Sequence, residues 1–309
     1  MNRDVLTVAD VAARDLAGLF RRAAQCKRNR RWGRGALAGK IVALVFQKPS
    51  VRTRVSFEVA ARQLGGSAIY LRPDDIQLGK REPIKDVART LSRYVDGIVV
   101  RTFSHGDAEE FARYATVPVI NGLSDLHHPC QALADLFTLQ ERAGRLKGLT
   151  IGYVGDGNNV LHSLAQGAGL LGVNLQAATP NRYRPDRTIW EHASRSARMH
   201  GARMSWSQDP RAAARRADVI YTDVWTSMGQ ELERGTRRKV FRPFQINAGL
   251  LRLANPRCLV MHCLPAHRGE EITEDVLEGR RSVVFDQAEN RLHVQKALLW
   301  MLLGGKRLR

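Results

Sequence analysis

The densest run of chemically capable side chains is KPSVRTR, Lys48 to Arg54. It follows an apolar run, Ile41 to Phe46, and precedes an amphipathic pattern through Val55, Phe57, Val59, Ala60 and Leu64. A strand that delivers Ser50, Arg52 and Thr53 to the start of a helix builds a cradle for a phosphate. The helix start offers unpaired N–H groups and partial positive charge, the two hydroxyls add donors, and Arg52 adds a planar fork that grips phosphate bidentately. Arg54, further into the helix, is expected to pair with a local acid such as Glu58 or Glu82. No G-x-x-x-x-G-K-[ST] loop occurs in the chain.

Four other runs carry chemistry. In HHPCQALADLF, His127 to Phe137, a proline opens a helix and His128 and Gln131 share its first face. A histidine and an amide at a helix start suit the polarising of a carbonyl oxygen. Zinc held by His127, His128 and Cys130 is the rival reading, without a further ligand pair to complete it. GYVGDGNNV, Gly152 to Val160, resembles a dinucleotide fingerprint but lacks the third glycine, and no acid ends the next strand, so NAD is rejected. Asn158 and Asn159 can each be a helix cap or a pocket amide. In DVWTSMGQE, Asp223 ends a strand and is expected to have a cationic partner, while Ser227, Met228 and Gly229 form a loop able to fold over a ligand. HCLPAHRGEE, His262 to Glu271, reads either as a metal site (His262, Cys263, His267) or as a cysteine nucleophile, for which the sequence demonstrates neither base nor oxyanion hole.

The elements that must position these runs alternate. Apolar strands are expected at 41–46, 67–71, 97–101, 117–120, 149–154, 174–178, 218–224, 258–263 and 282–286. Helical patterns cover 8–26, 54–64, 84–94, 129–143, 159–171 and 189–200, and a last helix 288–303. Strands apolar on both faces, separated by helices, predict two doubly wound parallel-sheet α/β domains. A break near Arg142 to Leu149 divides residues 1–143, with the C-terminal segment 288–309, from 144–287. The unusual residues fall at the strands' carboxyl ends, where such sheets bind ligands.

Composition bounds the rest. The chain has 309 residues, is 44% apolar and carries a net charge of +19. Only nine of its 49 basic residues are lysine, and the arginines are spread in short clusters such as KRNRRWGRG (27–35) and RGTRRK (234–239). No recognition helix, zinc finger or aromatic RNA motif accompanies them, so they read as a solvated surface and a nucleic-acid partner is not expected. There is no apolar run long enough to span a membrane and no apolar signal core at the N-terminus. Four scattered cysteines without C-x-x-C spacing suggest a reduced, cytoplasmic protein.

The ordered set SVRTR, HPCQ, GDGNN, DVWTSMG and HCLPAHRG, followed by AENRLHVQKALL (288–299), resembles the ornithine carbamoyltransferases from end to end. The combination of the SMG loop with HCLPxHRG is what marks the ornithine enzymes. The resemblance implies an N-terminal domain for carbamoyl phosphate, a C-terminal domain for L-ornithine, a final helix that packs back on the N-terminal domain, a homotrimer or an assembly of trimers, and no metal or cofactor. It implies that Ser50, Val51, Arg52 and Thr53 cradle the phosphate, and that Arg101, His128, Gln131 and Arg291 surround the carbamoyl group. Gln77 would reach a neighbouring subunit's phosphate. Asn159, Asp223, Ser227 and Met228 would hold ornithine, and Cys263 and Leu264, counted with the carbamoyl-phosphate-binding residues, would orient its side-chain amine through their carbonyls. Arg52, Arg101, His128, Cys263 and Arg291 form the implied catalytic set. One departure is visible: the family's usual S-T-R-T-R has Val51 in place of its first threonine, which removes a hydroxyl and keeps the backbone N–H. A carbamoyltransferase for putrescine or an N-acylated ornithine is the near alternative, and a basic nucleic-acid-binding α/β protein the distant one.

Overall fold

The computed structural model describes residues 3–79, 81–227 and 229–304, with only the backbone of Glu231. In chain order these residues form α1 (Ala13–Arg28), β1 (Ile41–Phe46), α2 (Val51–Gln63), β2 (Ser67–Leu71), α3 (Pro73–Ile76), α4 (Ile84–Leu91), β3 (Gly97–Arg101), α5 (His105–Tyr114), β4 (Val119–Leu123) and α6 (Pro129–Ala143). Then follow β5 (Thr150–Val154), α7 (Asn159–Leu171), β6 (Asn174–Ala178), α8 (Arg187–Met199), β7 (Met204–Ser207), α9 (Pro210–Ala214), β8 (Val219–Thr222), α10 (Arg234–Phe241), α11 (Ala248–Leu251), β9 (Leu259–His262), α12 (Glu274–Leu277) and α13 (Val284–Leu299). The chain divides into two compact units, Met1–Phe137 with Glu289–Arg309, and Thr138–Ala288. The division therefore falls inside α6 and α13 rather than in the loop 142–149.

The first unit holds a four-stranded sheet in the order β2-β1-β3-β4, and the second a five-stranded sheet in the order β7-β6-β5-β8-β9; every named pairing is parallel. Central strands explain the apolar runs: five of the six residues of β1 and all five of β3 are buried. In both sheets the winding direction reverses beside one strand pair, β1/β3 in the first and β5/β8 in the second. The loops leaving those strands open the ligand-binding crevice of this architecture.

Capping fixes the helices that start there. Ser50 caps α2, accepting from the Thr53 N–H at 3.4 Å. Asn158 caps α7, accepting from the Val160 and Leu161 N–H groups at 3.0 and 3.3 Å. The glycines of the GDG run serve close approach, not a dinucleotide. A Cβ on Gly152 would overlap the Ala213 carbonyl, and one on Gly157 would overlap the backbone of Tyr183, Arg184 and Pro185.

Two expectations are corrected. SVVFD (282–286) is not a strand: Ser282 makes an isolated bridge to Val260, and α13 begins at Val284. Its β-branched residues suggested a strand, but Asp286 in the first turn and the amphipathic run that follows favour the helix. Conversely, MSWS (204–207) forms an edge strand, β7, too short and too polar to stand out. The pattern 8–26 divides into a short 3-10 turn, Val8–Asp10, and α1.

Candidate active site

The first unit gathers the phosphate-cradle residues around Thr53, which is fully buried. Its Oγ1 accepts from Ser50 Oγ at 3.2 Å and from Arg291 Nη2 at 2.8 Å. Arg291 Nη1 also donates to Gln131 Oε1 at 3.2 Å, and Gln131 Nε2 donates to Asp135 Oδ1 at 2.8 Å. Residues 238 positions apart in sequence thus share one hydrogen-bonded chain. Arg101, the last residue of β3, is 4% exposed, and its guanidinium has no hydrogen-bond or ion-pair partner among the described residues. A buried cation without a counter-charge is costly, and an anionic ligand removes the cost. Burial, then Arg291 and Arg52, pushes the Arg101 guanidinium down to about 9.

His128 lies buried among the same cations. Burial holds its imidazole well below the ordinary histidine range, and Arg291, Arg101, Lys48 and Arg52 lower it further. A neutral imidazole can give one N–H to a carbonyl oxygen. Lys48, buried and lying over the Phe103 ring at 4.9 Å, is a cation the sequence reading left out of the site. Arg52 is exposed at the first turn of α2, while Arg54 pairs with Glu58 at 2.7 Å as expected. Val51, at 79% exposure, contributes backbone rather than side chain to the helix start. Gln77 is exposed, in the left-handed conformation (φ 40°) that ends α3. Cys130 is fully buried, burial pushes its thiol up to about 12, and it donates to the Asn121 carbonyl. With His127 and His128 it does not form one of the ligand groups found within 4.8 Å among the described residues.

The second unit places Asp223 just beyond β8, 5% exposed. It accepts from Asn158 Nδ2 at 2.7 Å and from the Cys263 thiol at 2.7 Å. Asp223 has no ion-pair partner among the described residues. Two neutral donors hold the carboxylate in place and leave its charge for a cationic ligand. Cys263 is engaged as a donor to Asp223; its sulfur, an Asp223 oxygen and a His262 nitrogen lie within 4.8 Å of one another, whereas His267 groups with Glu270 and Glu271 instead. His262 Nδ1 accepts from the Leu264 N–H at 2.8 Å, which puts the proton on Nε2, 3.1 Å from Glu271 Oε1. Leu264 itself has φ 57°, a left-handed backbone that side chains resist, held by this contact. Asn159 opens α7 beside Asn158. The Ser227 N–H donates to Gln230 Oε1 at 3.1 Å. Met228 lies outside the described residues.

Sequence reasoning missed three features here. Asn158 both caps a helix and orients Asp223, 65 residues away. Arg237, within a cluster read as solvated surface, is 3% exposed and ion-paired to Asp156. Glu271 is fully buried against His262. A dense local run of Asp, Asn, His and Glu was the available signal, but partner choice is tertiary.

The family model described as aspartate/ornithine carbamoyltransferase, carbamoyl-P binding domain, matches residues 3–141. Its Asp/Orn binding domain counterpart matches 147–302. The chain belongs to the aspartate/ornithine carbamoyltransferase family. Within it, the chain is 53% identical over 305 residues to a Thermococcus kodakarensis protein named ornithine carbamoyltransferase, covering 98% of this chain and 97% of that one. It is 52% identical to a Pyrococcus furiosus protein named ornithine carbamoyltransferase, anabolic, covering 98% and 97%. A solved structure of ornithine carbamoyltransferase from Pyrococcus furiosus superposes with a TM-score of 0.95 over 98% of both chains, at 52% identity.

Proposed function

We propose that the protein transfers the carbamoyl group of carbamoyl phosphate to L-ornithine, giving L-citrulline and phosphate, in the biosynthetic direction named for its Pyrococcus furiosus relative. The first unit binds carbamoyl phosphate: Ser50, the Val51 N–H, Arg52 and Thr53 take the phosphate. Arg101, His128, Gln131 and Arg291 take the carbamoyl group. The second unit binds ornithine through Asn159, Asp223, Ser227 and Met228, with the Cys263 and Leu264 carbonyls on the side-chain amine. The ornithine δ-amine, deprotonated, attacks the carbonyl carbon, a tetrahedral intermediate forms, and phosphate leaves. Charge developing on the oxyanion and leaving group meets Arg52, Arg101 and neutral His128. No covalent enzyme intermediate is required, and holding two substrates in register supplies several kcal/mol of the acceleration.

The observation that carries this reading is Asp223, a buried carboxylate with no ion-pair partner among the described residues. It suits an ammonium-bearing acceptor and repels an aspartate's second carboxylate. Further parts rest on the resemblance: a homotrimer, with exposed Gln77 reaching a neighbour's phosphate, and a cytoplasmic location, which four free cysteines favour. No described helix is long and apolar enough to cross a membrane. Citrulline formation tests the reading, with putrescine, aspartate and N-acetylornithine in parallel. Turnover with ornithine alone supports it; turnover with another amine overturns ornithine as the acceptor held by the second unit.

A further inference from the structure

Arg237, on α10, touches none of the residues assigned to substrate, yet it is among the most engaged side chains of the second unit. Its Nε donates to the Trp225 carbonyl at 2.5 Å, and its Nη2 is paired with Asp156. Its Nη1 reaches Glu233 at 3.4 Å. The guanidinium lies over the Tyr183 ring at 4.4 Å and the Phe241 ring at 5.3 Å. Trp225 and Glu233 bracket the segment that carries Ser227, so one side chain holds both ends of that loop. Asp156 lies two residues before Asn158, which orients Asp223. The same guanidinium therefore ties the loop to the turn on which the acidic anchor depends.

We propose that Arg237 is a positioning residue that ties Trp225 and Glu233, on either side of Ser227, to the β5–α7 turn, and thereby sets affinity for ornithine without touching it. The inference rests on the assignment of Asp223 and Ser227 to ornithine.

Two physical points favour a guanidinium here. Three anchors in different directions need its planar fork, which a lysine ammonium on a flexible stem cannot match. Arg237 also offsets one of two neighbouring buried acids. Burial pushes the Asp156 carboxyl up to about 7; Arg237 pulls it down, and Asp223 pushes it up. With Asp156 compensated by Arg237, Asp223 is the acid left for a ligand's ammonium.

The test is steady-state kinetics on R237K, R237Q and the double variant Asp156→Leu/Arg237→Met, with thermal melts. The double variant replaces a buried pair by apolar groups, which folds commonly tolerate. The expected result is a rise in KM for ornithine of roughly ten- to a hundredfold in R237Q, the scale of a lost charge-assisted bond. R237K should recover part of that loss, and KM for carbamoyl phosphate should stay within about twofold, since a tenfold change corresponds to a whole lost contact. An unchanged ornithine KM, an equal rise in both KM values, or failure of all three variants to fold gives Arg237 a merely structural role and overturns the proposal. Wild-type protein inactive toward ornithine refutes the proposed reaction instead. The pin is then read by limited proteolysis, with faster cleavage between 225 and 233 in folded R237Q expected and an unchanged rate overturning it.

Discussion

The Cys263 thiol and the Asn158 amide each donate to a different oxygen of Asp223, both at 2.7 Å. The ends of strands β8 and β9 and the α7 cap thus converge on one carboxylate, with an amide and a thiol as its donors. Replacing Asp223 by Asn keeps the shape and removes the charge. Ornithine KM should rise by about one to two orders of magnitude, the scale of a lost hydrogen-bonded charge. The affinity for carbamoyl phosphate, titrated separately, should not move; equal losses would sink the assignment.

Arg101 gives an opposite trade between stability and activity. Its guanidinium is buried with no counter-ion among the described residues, so Arg101→Met should stabilise the ligand-free protein, by about 1–4 kcal/mol if it follows the range for buried ion pairs replaced by apolar groups. The same change should abolish the rise in melting temperature that carbamoyl phosphate gives the wild type. A variant less stable than wild type would show that Arg101 is held by the fold rather than kept for a ligand.

Thr53 and Val51 stand two residues apart and should behave differently. Thr53→Val removes an acceptor shared by Ser50 and Arg291 and takes from buried Arg291 its Nη2 bond. It should raise the carbamoyl phosphate KM by roughly tenfold or more. Val51→Thr restores the family's usual hydroxyl at an exposed position and should change KM by less than about threefold, as surface substitutions do. A large gain from Val51→Thr would mean that the missing hydroxyl matters.

The titration of His128 should show in the pH dependence of stability rather than in that of the rate near neutrality. Its folded pKa is lowered, so the unfolded chain takes up a proton as pH falls below about 6.5 while the folded chain does not. The stability contribution is present above that pH and is lost below it, at up to about 1.4 kcal/mol per pH unit, until the folded group also titrates. Denaturant unfolding at pH 8 and pH 5 should show a smaller acid loss in His128→Asn than in wild type. Identical slopes would contradict a neutral, buried imidazole.

Much of this was legible in the sequence because it is local. The apolar run 41–46 and the donors behind it form β1, the Ser50 cap and α2 in the expected order. His128 and Gln131 begin one helix as their spacing required. What was not legible is partner choice. Arg54 found the acid four residues away, but Arg237, in an equally basic run, is buried against an acid 81 residues earlier. Asn158 and Asn159 look alike in sequence; only the fold gives one of them the bond to Asp223. The strand expected at 282–286 failed because β-branched residues also begin helices where an acid and an amphipathic run follow.

Gly157 has an absent side chain whose importance is easily misread. Any Cβ there would displace the backbone of Tyr183 to Pro185, and with it the turn bearing Asp156 and Asn158. A mutational survey scored on turnover alone would therefore rank Gly157 with the substrate contacts. The sensitivity would come from a steric vacancy, transmitted through two neighbours to a carboxylate it never meets. In this protein a map of intolerance is not a map of contact.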